Sequence, residues 1–297
     1  MTHWCCYCLN RLTFLHYAFA KVKTKTTTVT YEANNISLSV SGRSILKEIS
    51  LCITPGKFTA VVGPNGAGKS SFVKIMSNEI AHYAGDVRVN GKNISSYRPK
   101  ELSRIRSVMT QHPQVQFAFN VREIISFGRH AHDTTSGHNA SVIEEVVDAT
   151  NLHAFVDRNY LTLSGGEKQR VQLARTLAQV WEETLYPRYI LLDEPTSSMD
   201  IAQQQQMFGI IRGICSRNIG VLAIVHDLNL AAQFSDEICM INNGRIQNVG
   251  SVEEVFTKEN IEETFCCKVN IYRDPCTNCP FVVPTNENVL YNMSITK

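Results

Sequence analysis

The chain has 297 residues, of which 43% are hydrophobic, and it carries a formal net charge of +2. That length suits one α/β domain with additions, or two small domains. A charge this close to zero gives no reason to expect nucleic acid as the main partner. No apolar run approaches the roughly 20 residues that span a bilayer, so neither a transmembrane helix nor a signal peptide is expected.

The two ends of the chain differ from its middle. Residues 1–34 are predicted to form a poorly ordered extension, because the stretch KVKTKTTTVT is polar and repetitive. Residues 266–297 are predicted to be a C-terminal tail. Without a secretory signal, the ten cysteines do not indicate a disulfide framework. Cys276 and Cys279 form a CxxC with no second pair of good spacing nearby, which favours free thiols over a metal or redox site.

The first part of the middle region has a β-like pattern. The stretch ISLSV, which begins at Ile36, alternates apolar and polar residues, as a half-buried strand does. The run FTAVVG is apolar and ends at Gly63, which predicts a buried strand. A helix is expected from about Lys69 to Ser77. The stretch DVRVNGKNI predicts a hairpin that turns at Asn90 and Gly91.

Helical periodicity dominates residues 113–180, which are predicted to form a helical subdomain inserted between two halves of a sheet. Strand patterns then return in YILLD and GVLAIVH, each followed by a helix-like stretch. A last hairpin is expected around Asn243 and Gly244. Alternation of strands and helices implies parallel strands with helices on both faces.

A glycine-rich turn follows the first buried strand. GPNGAGKS matches the P-loop pattern G-x-x-x-x-G-K-[ST] at every fixed position. Glycines let backbone N–H groups converge on phosphate oxygens, and the helix that follows adds its positive N-terminal dipole. Lys69 is expected to reach the β- and γ-phosphates of ATP, and Ser70 to hold Mg²⁺. The predicted nucleotide-binding residues are Gly63, Pro64, Asn65, Gly66, Ala67, Gly68, Lys69, Ser70 and Ser71.

Polar residues end three further apolar strands. Asp193 closes YILLD, where a carboxylate can hold Mg²⁺, and Glu194 follows it as the candidate general base for the attacking water. His226 closes GVLAIVH and is expected to contact the γ-phosphate. Gln111 ends SVMTQ, where it can contact Mg²⁺ or the water. Strand ends of this kind gather at one edge of a parallel sheet, so Glu194, His226 and Gln111 are predicted to be catalytic.

A second candidate anion-binding turn lies in LSGGEKQR. Ser164, Gly165 and Gly166 come directly before a helical pattern, so their N–H groups and the helix dipole can attract a γ-phosphate. The chain nevertheless has catalytic strand ends for only one site. The second turn is therefore predicted to complete a site that belongs to a partner.

The ordered set of motifs resembles the ATP-binding cassette (ABC) ATPases over about residues 36–260. GPNGAGKS is similar to their Walker A, Gln111 to their Q-loop, LSGGEKQR to their signature, YILLDE to their Walker B, SSMD to their D-loop and His226 to their switch histidine. The resemblance implies an α/β P-loop NTPase fold over residues 35–265. It has a RecA-like core, an antiparallel β subdomain and an α-helical subdomain.

The resemblance can be narrowed within that family. RIRSVMTQHPQVQFAFNVREIISFGRHAH and HDLNLAAQFSDEICMINNGRI are similar to the ATPases of bacterial importers of hemin, ferric siderophores and cobalamin. The stretch YLTLSGGEKQRVQLARTLAQVW, followed by YPRYILLDEPTS, is most similar to the hemin-importer branch, whose members tend to have extra residues between the signature and Walker B. This implies a Mg²⁺-dependent ATPase that drives hemin import, with a ferric siderophore or cobalamin as the alternative cargo.

Partners and location are also implied by the resemblance. The expected partners are a second copy in a head-to-tail homodimer, membrane permease subunits docked around residues 111–132, and indirectly a periplasmic or surface substrate-binding protein. No nucleic acid partner is expected. The expected location is the cytoplasmic face of the bacterial inner membrane, as a peripheral subunit. A soluble ABC protein outside transport is the alternative of a different class, but the single cassette and the lack of long heptads disfavour it.

Two positions depart from the family pattern. Val40 stands near the place where an aromatic residue often stacks on adenine, so stacking on the base is not expected here. Met199 replaces a smaller residue in the D-loop, which affects the expected dimer packing.

Overall fold

The computed structural model describes residues 30–111 and 115–285, which form a mixture of helices and strands. The strands are β1 (Tyr31–Val40), β2 (Arg43–Ile53), β3 (Phe58–Val62), β4 (Ala84–Val89), β5 (Lys92–Asn93), β6 (Arg106–Met109), β7 (Arg188–Asp193), β8 (Ile219–Ile224), β9 (Glu237–Asn242), β10 (Arg245–Ser251), β11 (Val269–Arg273) and β12 (Pro280–Pro284). The helices are α1 (Lys69–Met76), α2 (Pro99–Ile105), α3 (Val121–Ser126), α4 (Ser136–Thr150), α5 (Gly165–Gln179), α6 (Ile201–Cys215), α7 (Leu228–Phe234), α8 (Val252–Val255) and α9 (Lys258–Phe265).

The central sheet has the strand order β10-β9-β3-β8-β7-β6. Strands β9, β3, β8, β7 and β6 run parallel, and β10 is antiparallel to β9. Every residue of β3, β7 and β8 is buried, as expected for parallel strands that are covered on both faces. The carboxyl ends of β3, β8, β7 and β6 therefore lie side by side at one edge.

Two hydrophobic cores lie on opposite faces of this sheet. Tyr189 and Leu191 of β7 pack into the core that contains α1 and the small antiparallel sheet. Ile190 and Leu192 of the same strand pack into the larger core that contains α3 to α7. Successive side chains of a strand point to opposite faces, so one apolar run supplies both cores.

The antiparallel sheet has the order β2-β1-β4-β5. Its predicted hairpin is confirmed, with Asn90 and Gly91 both at positive φ (50° and 77°) between β4 and β5. Strand β1 starts at Tyr31, so residues 31–34 belong to this sheet and not to the extension expected over residues 1–34. The Tyr31 ring, which is fully buried, meets Tyr189 edge-on with centroids 5.2 Å apart and joins the two sheets. Residues 1–29 lie outside the described residues.

The helical region packs α3 and α4 against α5. The apolar faces predicted from periodicity are buried, including Ile124 on α3, Val146 on α4 and Leu177 on α5. Gly128, just after α3, approaches α5 so closely that a Cβ there would lie 2.3 Å from the carbonyl oxygen of Arg175. The absence of a side chain at Gly128 therefore sets how closely the two helices pack.

The segment expected as a C-terminal tail contains regular structure. Strands β11 and β12 form an antiparallel hairpin, and Ile271, Cys279 and Val282 pack against the larger core. The prediction of a tail over residues 266–297 is therefore wrong for the hairpin, and residues 286–297 lie outside the described residues. The cysteines that the structure describes are free, and no cluster of ligands that could hold a metal is found among the described residues. Within the same residues, no helix is long and apolar enough to cross a membrane.

Candidate functional site

The glycine-rich turn joins β3 to α1 at the edge where the parallel strands end. Gly68 is the residue before α1 and has φ 101°, a backbone conformation that favours glycine. A Cβ at Gly63 would lie 1.9 Å from the carbonyl oxygen of Ile241, so the turn fits tightly over β9. Asn65 and Gly66 are exposed at the outer side of the turn, where they can meet a ligand. The turn therefore has the open, backbone-lined form that anion binding requires.

Lys69 lies over this turn and is buried. Its Nζ donates hydrogen bonds to the carbonyl oxygens of Gly63, at 2.7 Å, and Pro64, at 2.9 Å. Burial lowers the pKa of Lys69, while the carboxylates of Glu194 and Asp193 act in the opposite direction. The ammonium group is thus held beside the glycine turn by carbonyl groups that a phosphate oxygen could replace.

Ser70 and Asp193 bring two oxygens together across the site. Ser70 Oγ donates a hydrogen bond to Asp193 Oδ1 over 3.2 Å, which links α1 to the end of β7. Burial raises the pKa of Asp193, and the hydrogen bond from Ser70 partly offsets that effect. A divalent cation would stabilise the charged form of this buried carboxylate. A hydroxyl and a carboxylate are the hard oxygen ligands that Mg²⁺ prefers, so the residues present fit this ion.

Glu194 lies at the centre of the site. Its Oε1 is 2.6 Å from His226 Nε2, and its Oε2 accepts a hydrogen bond from Gln111 Nε2. The backbone of Glu194 is left-handed, with φ 53°, so the chain turns sharply where the carboxylate leaves β7. The structure therefore brings together Gln111, Glu194 and His226, as the strand-end argument predicts.

The second candidate turn lies at the start of α5. Ser164 caps the helix: its Oγ accepts from the N–H of Glu167 at 3.3 Å, and its own N–H donates to Glu167 Oε2 at 2.7 Å. Ser164 and Gly165 are exposed, whereas Gly166 is buried against Gln203 of α6. No hydrogen bond among the described residues joins this turn to the glycine-rich turn. The two candidate anion-binding turns are therefore separate features of one chain.

The two departures from the family pattern also have places in the structure. Val40 is 52% exposed at the end of β1, so no aromatic ring is presented there. Met199 packs partly buried against the larger core, and Asp200 beside it caps α6 by accepting from the N–H of Gln203 at 2.8 Å. Met199 thus serves the packing of its own chain.

Two features of the site could not be identified from the sequence. Leu46 of β2 contacts the turn, because a Cβ at Gly68 would lie 2.7 Å from its Cδ2. Gln169 of α5 donates to Ser197 Oγ at 2.9 Å and so ties the second turn to the segment after Glu194. The only sequence signal for Leu46 is its apolar position in a strand, and Gln169 gives no signal of its own.

The fold and this geometry define a P-loop nucleoside triphosphatase of the cassette type. The glycine-rich turn has the form of a phosphate cradle, and the neighbouring strand ends bring two carboxylates, those of Asp193 and Glu194, to the same edge of the sheet. The second candidate anion-binding turn, at Ser164, lies in the stretch that resembles the signature of the ATP-binding cassette ATPases.

Comparisons with known proteins agree with this class. The family profile described as ABC transporter matches residues 46–197. The hemin import ATP-binding protein HmuV of Rhizobium meliloti (strain 1021) is 41% identical over 254 residues, which cover 85% of this chain and 97% of that relative. The protein of the same name from Escherichia coli O157:H7 is 35% identical over 252 residues, covering 84% of this chain and 98% of the relative.

The fold is also found in solved structures. A structure described as a metal-chelate type ABC transporter in an inward-facing conformation matches with a TM-score of 0.74 at 22% identity, covering 89% of this chain and 100% of that chain. The chain therefore belongs to the ABC transporter family and is an ATP-hydrolysing protein of that family. The resemblance to hemin-importer ATPases that the motifs indicate is confirmed by the similarity to the two HmuV proteins.

Proposed function

We propose that the chain is the energy-coupling ATPase of a bacterial importer whose cargo is hemin. The proposal that the chain hydrolyses ATP is supported by the position of Glu194, whose carboxylate contacts both Gln111 and His226 beside the glycine-rich turn. The cargo is supported by relatives, 41% and 35% identical, that are named for hemin import. A ferric siderophore or cobalamin is the competing cargo, because the stretches around Gln111 and His226 resemble the ATPases of importers of those cargoes as well.

Hydrolysis would use groups that the chain already holds in place. Lys69 and the N–H groups of the glycine-rich turn would bind the phosphates of ATP. Glu194 would take a proton from the attacking water as the water oxygen forms a bond to the γ-phosphorus, while His226 and Gln111 hold the carboxylate in place. The bond between the γ-phosphorus and the oxygen that leaves with ADP would break, giving ADP and phosphate.

Ser70 and Asp193 would hold Mg²⁺, because their oxygens already lie within hydrogen-bond distance of each other. When bound, the ion would offset the negative charge of the phosphates. Gln111 is the third proposed ligand. Its amide nitrogen donates to Glu194, so its amide oxygen is the atom that would reach the metal.

We propose that the working form is a head-to-tail homodimer. Ser164 and Gly165 are exposed at the N-terminus of a 15-residue helix. Among the described residues, no hydrogen bond joins them to the glycine-rich turn of their own chain, where a phosphate would bind. An ATP bound to the glycine-rich turn of a second copy would place its γ-phosphate against the Ser164 turn of the first copy. ATP would then hold the two copies together and hydrolysis would release them, which makes nucleotide state a switch.

An aromatic cleft beside Gln111 is the proposed docking surface for permease subunits. The cleft has a volume of about 710 Å³ and is lined by Phe117, Phe119 and Phe127 among others. Phe117 is 72% exposed, and the Phe119 ring meets those of Phe117 and Phe127 edge-on, with centroids 6.1 and 5.0 Å apart. An exposed aromatic cluster of this kind suits an apolar partner helix. Bound there, the chain would be a peripheral subunit at the cytoplasmic face of the inner membrane.

Reconstitution with the cognate permease subunits tests the proposal. Vesicles containing the complex and a periplasmic or surface substrate-binding protein should accumulate hemin when ATP is supplied on the side of this chain. Parallel uptake measurements with a ferric siderophore and with cobalamin compare the cargoes. ATP-driven uptake of the ferric siderophore or of cobalamin, without uptake of hemin, would refute the assignment of hemin as the cargo.

A further inference from the structure

The C-terminal hairpin is fastened to the segment that follows His226. Asn229, in the first turn of α7, accepts a hydrogen bond from the Val282 N–H at 2.7 Å through Oδ1. Its Nδ2 donates to the Val282 carbonyl oxygen at 3.3 Å. The amide thereby pairs with both backbone groups of one residue of β12, as a neighbouring strand would do.

This contact lies close to His226 along the chain. Asp227 caps α7, and its Oδ1 accepts from the N–H groups of Asn229, at 2.8 Å, and Leu230, at 3.2 Å. The position of Asn229 and that of the His226 backbone are therefore linked through one capped turn. A shift of Asn229 would move the histidine that contacts Glu194.

The two ends of α7 are held by different partners. At the far end, the Phe234 ring stacks on Phe208 of α6 with centroids 5.5 Å apart, and Asp236 accepts from the Phe58 N–H at 2.8 Å. These contacts fix the C-terminal end of α7 to the sheet. The pair formed by Asn229 and Val282 holds the N-terminal end of α7, which follows His226 closely in the chain.

The hairpin itself is well anchored. Val282 and Ile271 pack against the larger core, and Arg273 of β11 forms an ion pair with Glu253 of α8. The Tyr272 ring stacks on Phe281 across the two strands with centroids 5.7 Å apart. A hairpin fixed in this way can serve as a reference point for α7.

We propose that the hairpin β11–β12 is a positioning element of the ATPase, and that Asn229 is the positioning residue through which it holds His226 against Glu194. This inference rests on the proposed catalytic role of His226. The alternative is that the contact between Asn229 and Val282 only stabilises the fold. If Asn229 positions His226, its loss should slow ATP hydrolysis only when His226 is present, whereas a loss of stability should slow hydrolysis with or without His226.

Steady-state ATP hydrolysis by the full chain provides the first test. Asn229→Ala should lower kcat by about tenfold and leave the KM for ATP nearly unchanged, because a misplaced catalytic group slows the reaction without removing the phosphate cradle. Asn229→Asp keeps the acceptor for the Val282 N–H and should recover part of the rate. The matched control is Asn260→Ala, which removes an asparagine that donates to the carbonyl oxygen of Val255 at 3.0 Å away from His226.

A double-mutant cycle with His226→Ala separates positioning from stability. If Asn229 acts through His226, adding Asn229→Ala to His226→Ala should cause no further loss of rate under single-turnover conditions. An equal loss in both backgrounds, or a normal kcat for Asn229→Ala alone, would overturn the inference. A normal rate for His226→Ala would instead refute the proposed role of His226, and the inference with it.

Discussion

His226 Nε2 lies 2.6 Å from Glu194 Oε1, although the two residues follow different strands. Strands β7 and β8 are parallel neighbours in which Asp193 pairs with Ile224, so the residues just after each strand come together. The contact holds the carboxylate at the edge of the sheet beside the glycine-rich turn. Its position makes Glu194 the group to test first.

Glu194→Gln should lower ATP turnover by about a hundredfold or more, because an amide cannot act as a general base. ATP affinity should be kept, since Lys69 and the glycine-rich turn are unchanged, and ATP-bound dimers should accumulate. Phosphate release and size-exclusion chromatography with ATP measure these effects. Glu48→Gln, at a surface carboxylate paired with Arg245, is the control. Hydrolysis by Glu194→Gln at a near wild-type rate would refute the assignment.

Lys69→Ala should abolish detectable nucleotide binding. The substitution removes the buried ammonium group that lies beside the glycine-rich turn and would meet the phosphates. Equilibrium titration with a fluorescent ATP analogue measures the affinity. Lys57→Ala serves as the comparison, because Lys57 precedes the other end of β3 and pairs with Glu237. Unchanged affinity in Lys69→Ala would contradict the role given to this turn.

Ser164→Asp should prevent ATP-dependent dimerisation while leaving the fold intact. Aspartate caps helices as well as serine does, so α5 should keep its start, but a negative charge would then face the γ-phosphate bound by a second copy. The test uses light scattering with ATP in a Glu194→Gln background. Thr135→Asp, at the cap of α4, is the matched control. A normal dimer in the Ser164→Asp variant would argue against the head-to-tail arrangement.

Stability should fall in mild acid because of His132. Burial lowers the pKa of His132 below its ordinary value of 6.5, and Nε2 lies 2.9 Å from the carbonyl oxygen of Gln179. Between the two pKa values, His132 is protonated in the unfolded chain but neutral in the folded chain. The free energy of unfolding therefore decreases as the pH falls from about 6.5 through the lowered pKa. One proton changes the free energy of unfolding by at most about 1.4 kcal/mol per pH unit.

Chemical unfolding of His132→Gln between about pH 7.5 and about pH 5 checks this prediction, because that range extends from above the ordinary histidine pKa to well below it. Glutamine keeps a hydrogen-bond donor but does not titrate, so the variant should show a weaker dependence on pH than the wild type. The same substitution at His153, whose side chain is 63% exposed, is the comparison. An equal change of slope in both variants would show that His132 is not the cause.

Gly128→Ala should destabilise the protein by about 1–3 kcal/mol, because the new Cβ would overlap the carbonyl oxygen of Arg175 and force α3 away from α5. Gly209→Ala is the opposite case. Gly209 lies inside α6, and a Cβ added there would have no neighbouring atom within 4 Å, so alanine should stabilise by up to about 1 kcal/mol. Thermal unfolding compares the two variants, and a stabilised Gly128→Ala would refute the close packing.

Part of the site was predictable because its chemistry depends on residues that are adjacent in sequence. The spacing of Gly63, Gly68 and Lys69 dictates the turn, since the positive φ of Gly68 and the start of α1 are local properties. Asp193 and Glu194 were predictable from the apolar strand before them. The strand-end rule then extended the site to Gln111 and His226, because parallel strands end at a common edge.

The sequence by itself thus determined the fold class, the glycine-rich turn and the polar strand ends, all of which follow from short-range pattern. Only the tertiary structure decided that Gln111 and His226 each contact one oxygen of Glu194, how closely Gly128 lets α3 approach α5, and that β11 and β12 form an anchored hairpin tied to Asn229. The physical reason is that these contacts join residues far apart in the chain. Their distances depend on how whole elements pack, and no local spacing of residue types specifies that packing.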